Sequence, residues 1–130
     1  MLAVYLFLSL CSTLLFRSQS EIPEYNFTPF WSYREIKKGW TYLLHDNIYK
    51  VLLFIPVGFF LRFLSKKINV CHALLFSLFV STMIETIQFF SKRGFAETDD
   101  VIHNVFGCFL GFCLCVAIQK IFPCSTSLFK

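Results

Sequence analysis

Charged residues are scarce in this sequence of 130 residues, where Asp, Glu, Lys and Arg together make up 15%. An ordinary soluble domain carries about 25% charged residues, so the composition argues against a soluble protein. The six cysteines include no CxxC pair, and we therefore expect neither a metal site nor a disulfide framework, and no cofactor. The net charge of +4 does not indicate nucleic acid, because the basic residues stand at the ends of apolar segments, where anionic head groups would meet them.

Apolar residues are abundant, at 56% of the chain with 18 Phe. They form four blocks, at residues 2–16, 48–64, 70–90 and 101–122. The last two reach the roughly 20 residues that a helix needs to cross a bilayer, and the second nearly does. The sequence therefore predicts an all-α, polytopic membrane protein, a four-helix transmembrane bundle embedded in the lipid bilayer.

The first block is short enough to be the core of a signal peptide. No Lys or Arg precedes it, however, and no small-x-small cleavage site follows it. We therefore favour a retained first helix over residues 1–20, with Arg17 at the interface. Residues 21–122 form the main membrane domain in this division, and residues 123–130 form a C-terminal tail.

Basic residues indicate the orientation. With four spans, the chain ends and the loop 65–69 share one side, and Arg62, Lys66 and Lys67 cluster there. The raw count of Lys and Arg is higher on the other side, but a dense cluster in a short loop is the signal that sets orientation. We expect both termini in the cytoplasm, with loops 17–47 and 92–100 facing outward.

The first outward loop contains an amphipathic stretch at residues 33–44. Its apolar face is formed by Tyr33, Ile36, Trp40, Leu43 and Leu44. Aromatic residues of this kind favour the head-group layer, so the pattern predicts a short interfacial helix on the outer leaflet. The alternative is an aromatic-rich loop packed over the bundle, which Gly39 in the middle of the stretch favours.

Polar residues form a row on each of the last two blocks. Residues at offsets of four, seven and eleven lie on one face of a helix. The row on the third block is Ser81, Glu85, Gln88 and Lys92, and the row on the fourth block is Asp100, Asn104, Gly107 and Gly111. We expect the two rows to face each other and to form an outward pocket.

Glu85 is the ionisable residue deepest in the third block. An acidic side chain at the centre of a spanning helix costs about 2.5–3.5 kcal/mol, so it needs a partner or a cavity. Arg93 and Asn104 are the candidate partners. The residue is either a polar clamp between helices or a carboxylate that acts as acid, base or proton carrier.

The fourth block begins with Asp99 and Asp100, and one of them is expected to be its N-cap. Arg93 could pair with a carboxylate or a phosphate. His103 lies one residue off the polar row, which makes it a bystander rather than a ligand.

Small residues indicate how the helices pack. Gly107 and Gly111 form a GxxxG pair, which we expect to bring the third and fourth helices together. In the second block, Pro56 predicts a bend, and Gly58 lies on one face with Asn47. Asn47 is either a helix cap or part of the outer mouth of the bundle.

The chain resembles the VanZ-like family of small bacterial integral membrane proteins. Four stretches in order carry the resemblance: residues 26–30 (NFTPF); Asp46 and Asn47 with residues 54–58 (FIPVG); Ser81, Glu85 and Gln88; and residues 99–107 (DDVIHNVFG) with Gly111. His103 departs from the family, which usually has an apolar residue there. The polar positions that the resemblance implies are Asn47, Glu85, Gln88, Arg93, Asp100 and Asn104.

The resemblance implies a multi-pass protein of the bacterial cell membrane and, for the founding member, resistance to the glycopeptide teicoplanin. We expect an envelope protein whose pocket binds a polar head group or a lipid-linked cell-wall precursor. The alternative is a membrane enzyme, a hydrolase or transferase acting on a lipid-linked or phosphorylated substrate. A third hypothesis is proton or ion movement through Glu85.

Overall fold

A computed structural model describes Tyr5, residues 24–92 and residues 95–122. Its elements in chain order are β1 (Glu24–Asn26), α1 (Trp31–Lys37), α2 (Tyr42–Leu64), α3 (Val70–Ser91), β2 (Phe95–Glu97) and α4 (Thr98–Ile121). The three long helices, α2, α3 and α4, are each long and apolar enough to cross a membrane. They correspond to the last three apolar blocks, so that part of the predicted bundle is confirmed. The first block and the predicted C-terminal tail lie outside the described residues, apart from Tyr5.

The amphipathic stretch 33–44 is not one helix. Helix α1 ends at Lys37, and the chain then turns through Gly39, whose φ of 108° is a conformation that glycine adopts without strain. Leu43 and Leu44 belong to the first turn of α2, which begins six residues before the predicted block. The predicted helix boundaries are therefore wrong, and the position of α1 at the membrane surface stays a prediction.

A two-stranded parallel ribbon, absent from the sequence-based prediction, joins distant parts of the chain. In it β1 pairs with β2, with Tyr25 opposite Ala96 and Asn26 opposite Glu97. Because β2 leads directly into α4, the ribbon holds the segment before α1 next to the start of α4.

Glycines bring α2 and α4 into direct backbone contact. A Cβ atom on Gly58 would overlap the carbonyl oxygen of Cys108, and one on Gly111 would overlap that of Ile55. A Cβ atom on Gly107 would meet the carbonyl oxygen of Val51. The predicted partner of the GxxxG pair is therefore wrong: these glycines bring α4 to α2, not to α3, because a helix approaches this closely only where side chains are absent.

Apolar side chains from all three long helices fill the space between them. Helix α2 continues through Pro56 without interruption. The buried cluster consists of Phe54, Val57, Leu61, Ala73, Ile84, Cys108 and Phe112. Since α2 and α4 run opposite to α3, the start of α2, the end of α3 and the start of α4 share one end of the bundle, together with α1 and the ribbon. We call it the α1 end.

Candidate functional site

Most of the buried polar side chains gather at the α1 end. Ten residues that are at most 8% exposed form what we call the polar cluster: Ser32, Asn47, Lys50, Ser81, Gln88, Glu97, Asp99, Asp100, His103 and Asn104. Ser77, also fully buried, continues the row one turn deeper on α3. Buried charges in a membrane protein are costly unless they are paired, so their partners determine what the cluster does.

Asp99 fixes α1 to the start of α4. Its side chain is fully buried and accepts hydrogen bonds from the Phe30 N–H at 2.5 Å, the Ser32 N–H at 3.0 Å and the Ser32 hydroxyl at 2.5 Å. The N-cap of α4 is Glu97, without a side-chain cap bond, so the expected N-cap role of Asp99 or Asp100 is wrong. Both lie inside the first turn, where the helix dipole favours negative charge.

Asn47 connects this contact to α2. Its side-chain amide donates to the Ser32 hydroxyl oxygen at 3.2 Å, and the residue is 3% exposed. Thr41 stands at the N-cap of α2, so Asn47 is an internal residue of the helix and not a cap. On the other side of α1, the Trp31 indole donates to a Glu97 carboxylate oxygen at 3.2 Å. Helix α1 is therefore held by both α2 and α4.

Lys50 is the buried cation of the cluster, and the sequence reasoning missed it. Its ammonium group forms an ion pair with Asp100, which is 2% exposed, and a second with Asp46 at 2.8 Å. Asp46 is half exposed. The signal was present in the sequence, because Lys50 follows Asp46 by four residues and Asn47 by three, which places all three on adjoining faces of α2.

Asn104 joins α4 to α3. Its amide nitrogen donates to the Ser81 hydroxyl oxygen at 2.7 Å, and the Ser77 hydroxyl donates to its backbone carbonyl at 3.4 Å. The two predicted polar rows therefore meet at Ser81 and Asn104. The side-chain oxygen of Asn104 is buried and has no hydrogen-bond partner among the described residues. An unpaired buried acceptor costs about 1–3 kcal/mol, and a bound donor would remove that cost.

Glu85 lies one turn beyond Ser81 and is half buried. One of its carboxylate oxygens accepts a hydrogen bond from the Glu97 backbone N–H at 2.9 Å. With its amide nitrogen turned toward Glu85, Gln88 donates to both carboxylate oxygens at 3.3 Å. The carboxylate thus receives donors from both α3 and the segment that enters α4.

A cavity of about 390 Å³ opens beside Glu85, between α3 and the start of α4. Its lining is mainly apolar and consists of Phe27, Thr82, Glu85, Thr86, Phe89, Ala96, Glu97, Thr98 and Val101. Of the described residues that the sequence assigned to one pocket, only Glu85 lines this cavity. Asn47, Asp100 and Asn104 lie in the polar cluster, and Arg93 lies outside the described residues.

His103 is part of the polar cluster and not a bystander. It is 6% exposed, its Nδ1 lies 2.5 Å from the Asp99 carbonyl oxygen, and its Nε2 lies 2.8 Å from the Tyr33 hydroxyl. His103 lies one residue off the polar row, and the residues of that row face α2 and α3. His103 faces α1, a contact that the row could not indicate.

Other residues of the predicted rows lie at the edge of the cluster. Lys92, the last residue of the α3 row, is exposed and ends the helix in a left-handed conformation with φ of 53°. Among the residues that the structure describes, no group of three or more His, Cys, Asp or Glu side chains could hold a metal ion.

Comparison with known proteins gives one match. The family model described as VanZ/LLP1 matches residues 2–119, nearly the whole chain. No curated protein matches the sequence, and no solved structure does.

Proposed function

The chain belongs to the VanZ/LLP1 family, and we propose that it is a cell-envelope membrane protein whose polar cluster and adjoining cavity bind a lipid-linked cell-wall precursor. The polar head group of the precursor occupies the cluster around Asn104 and Asp100, and its hydrocarbon chain lies in the cavity beside Glu85. Orientation with both termini in the cytoplasm directs this site outward.

The side-chain oxygen of Asn104, which has no hydrogen-bond partner in the described part of the chain, is the observation that carries the proposal. Buried amides normally have hydrogen-bond partners on both their oxygen and their nitrogen. Here the nitrogen is paired with Ser81, whose hydroxyl still has its own proton to donate. A sugar or peptide group could therefore donate to the Asn104 side-chain oxygen and accept from the Ser81 hydroxyl.

The cavity supports the hydrocarbon part of the proposed ligand. Ligand sites are commonly 300–1,000 Å³ in volume and mostly apolar, with a few polar groups that fix orientation. The cavity of about 390 Å³ has this character, with Glu85 and Glu97 as its carboxylates. Because Glu85 also receives the Glu97 N–H, the cavity and the polar cluster share one wall.

Trp31 supplies a reporter for the binding test, because its indole contacts Glu97 at the cavity wall. The full chain, with Trp40→Phe to remove the second indole, is placed in lipid nanodiscs. It is then titrated with a polyprenyl diphosphate that carries a disaccharide and a stem peptide. We expect saturable quenching or enhancement of Trp31 fluorescence. Asn104→Leu should weaken binding about tenfold, as the loss of one buried hydrogen bond of about 1.4 kcal/mol requires.

Glu85→Gln and Asp100→Asn should also weaken binding. The matched control is His72→Gln, an exposed residue at the opposite end of α3. A wild-type protein that does not bind the precursor, or an Asn104→Leu variant that binds it as well as wild type, would contradict the proposal.

Teicoplanin resistance is the physiological role that we propose for this binding. A protein that occupies a cell-wall precursor would compete with a glycopeptide that targets the same molecule. Overexpression of wild type should raise the inhibitory concentration of teicoplanin, and Asn104→Leu should abolish the increase. Equal susceptibility of deletion, wild-type and overexpressing strains would rule out this role.

A further inference from the structure

Tyr33 and His103 have the geometry of a nucleophile and its base. The Tyr33 hydroxyl lies 2.8 Å from His103 Nε2, and the rings lie 5.7 Å apart. Tyr33 is 42% exposed, whereas His103 is 6% exposed. The hydroxyl is therefore held by a buried imidazole while the tyrosine itself remains accessible.

The second nitrogen of His103 fixes the roles within this pair. Nδ1 lies 2.5 Å from the Asp99 backbone carbonyl oxygen, which only accepts hydrogen bonds, so Nδ1 carries a proton and donates it. In the neutral ring Nε2 is then the acceptor, and the Tyr33 hydroxyl donates to it. A nucleophile within hydrogen-bond reach of a base, with the base oriented by a third group, is the arrangement that activates hydroxyl nucleophiles.

Helix α1 is held firmly enough to keep the pair together. Asp99 binds the Phe30 and Ser32 N–H groups on the two sides of Trp31, and Asn47 binds the Ser32 hydroxyl. Tyr33, the next residue, therefore has a fixed position over His103.

Helix α1 also carries a lysine on the face of Tyr33. Lys37 follows Tyr33 by four residues on α1, which places both on the same helical face, and it is exposed. Arg34 is also exposed on α1, whereas Lys38 is paired with Glu35 at 2.7 Å. An anionic substrate would be attracted to this face.

We propose that Tyr33 is a nucleophile, activated by His103, that attacks the phosphorus of a phosphate ester in an anionic head group. A bond forms between the Tyr33 oxygen and phosphorus, and the bond between phosphorus and the leaving oxygen breaks. The hydroxyl proton moves to His103 Nε2, and the leaving oxygen, on the opposite side of phosphorus, takes a proton from water. Lys37 binds the phosphate charge. This activity goes beyond precursor binding and does not depend on it.

Chemical labelling tests the activation of Tyr33 without a known substrate. The full chain in phosphatidylcholine nanodiscs is treated with benzenesulfonyl fluoride, which modifies a tyrosine when its oxygen attacks sulfur and fluoride leaves. Tyr25 and Tyr42 are internal controls, because they are 57% and 58% exposed and thus more accessible than Tyr33. Exposure alone predicts that they react faster. Activation by His103 predicts that Tyr33 reacts about a hundredfold faster than either, the usual effect of a general base.

His103→Gln separates base catalysis from simple tethering. The glutamine amide oxygen offers Tyr33 an acceptor but does not take its proton. We expect Tyr33 labelling to fall to the rate of Tyr25 and Tyr42, whose own rates stay unchanged and thereby report intact folding. A Tyr33 rate equal to its controls in wild type, or unchanged in His103→Gln, would overturn the proposal. The wild-type comparison is decisive even where the variant does not fold.

Phosphoryl transfer is tested with para-nitrophenyl phosphate. We expect release of para-nitrophenol with phosphate on Tyr33 detected by mass spectrometry, both absent in Tyr33→Phe. Lys37→Gln should slow this reaction several-fold, because the phosphate loses a cation. Sulfonyl labelling without any para-nitrophenol release would overturn the phosphoryl part of the proposal. Precursor binding by Tyr33→Phe, measured as above, distinguishes failure of this activity from failure of the binding site.

Discussion

The ion pair between Lys50 and Asp100 should be a major contributor to the stability of the α1 end. Lys50→Met keeps most of the side-chain volume but removes the ammonium group from a carboxylate that is 2% exposed. Breaking a buried pair by removing one partner costs about 3–5 kcal/mol, because a buried charge loses its compensation. The pair with Asp46 is half exposed and is worth less than about 1 kcal/mol. Asp46→Ala should therefore cost far less than Lys50→Met.

Steric trapping measures reversible unfolding in nanodiscs and gives the free energies of unfolding that this comparison needs. The double variant Lys50→Met with Asp100→Leu should lose about 2 kcal/mol less stability than the sum of the losses in the two single variants, since the buried pair is removed as a whole. Lys67→Met, in the exposed loop at the other end, is the control and should change stability by less than about 0.5 kcal/mol. If Lys50→Met and Asp46→Ala cost the same, or if the double variant is simply additive, the assignment of the energy to the Asp100 pair is refuted.

Three further predictions concern packing, docking and orientation. Gly58→Ala places a Cβ atom against the Cys108 carbonyl oxygen. We expect the free energy of unfolding to fall by about 1–3 kcal/mol in the same assay. Unchanged stability would refute the α2–α4 contact. Asp99→Asn weakens three hydrogen bonds to α1, so amide hydrogen exchange in α1 should accelerate about tenfold or more, whereas equal exchange would show that Asp99 does not hold the helix. In a chain with its native cysteines replaced, a membrane-impermeant maleimide should label Lys37→Cys on intact cells and Lys66→Cys only after permeabilisation, and the reverse pattern would invert the topology.

The long helices could be predicted from sequence because the bilayer imposes a length on apolar segments. The three apolar blocks that the structure describes correspond to helices, and the family resemblance is confirmed over residues 2–119. The start of α3 at Val70 was predicted, whereas α2 and α4 begin before their apolar blocks. Helix α2 begins at Tyr42 because the polar residues of its first three turns, including Asn47 and Lys50, are accommodated by the polar cluster and do not need to be apolar.

The contacts that assemble the cluster could not be predicted from local pattern. Ser32 and Asp99 are 67 residues apart in sequence, and Tyr33 and His103 are 70 apart. Helical periodicity identifies which residues share a face, but it does not indicate which element that face meets. The row of Asp100 and Asn104 was therefore recognised, and so was the contact of Asn104 with α3, whereas the contact of Asp100 with Lys50 of α2 was not.

Burial of the cluster and docking of α1 are one cooperative event. Without α1, Asp99 would lose three donors, and His103 would lose the Tyr33 hydroxyl. A carboxylate and an imidazole in that position would require water in place of α1, so neither is stably buried unless the short helix is in place. A change of the Asp99 side chain should consequently slow the labelling of Tyr33, although it leaves in place the Asp99 backbone carbonyl that contacts the His103 ring. Loss of Tyr33 reactivity in Asp99→Asn, together with faster exchange in α1, would show that one buried carboxylate supports both the fold of this end and the chemistry proposed for it.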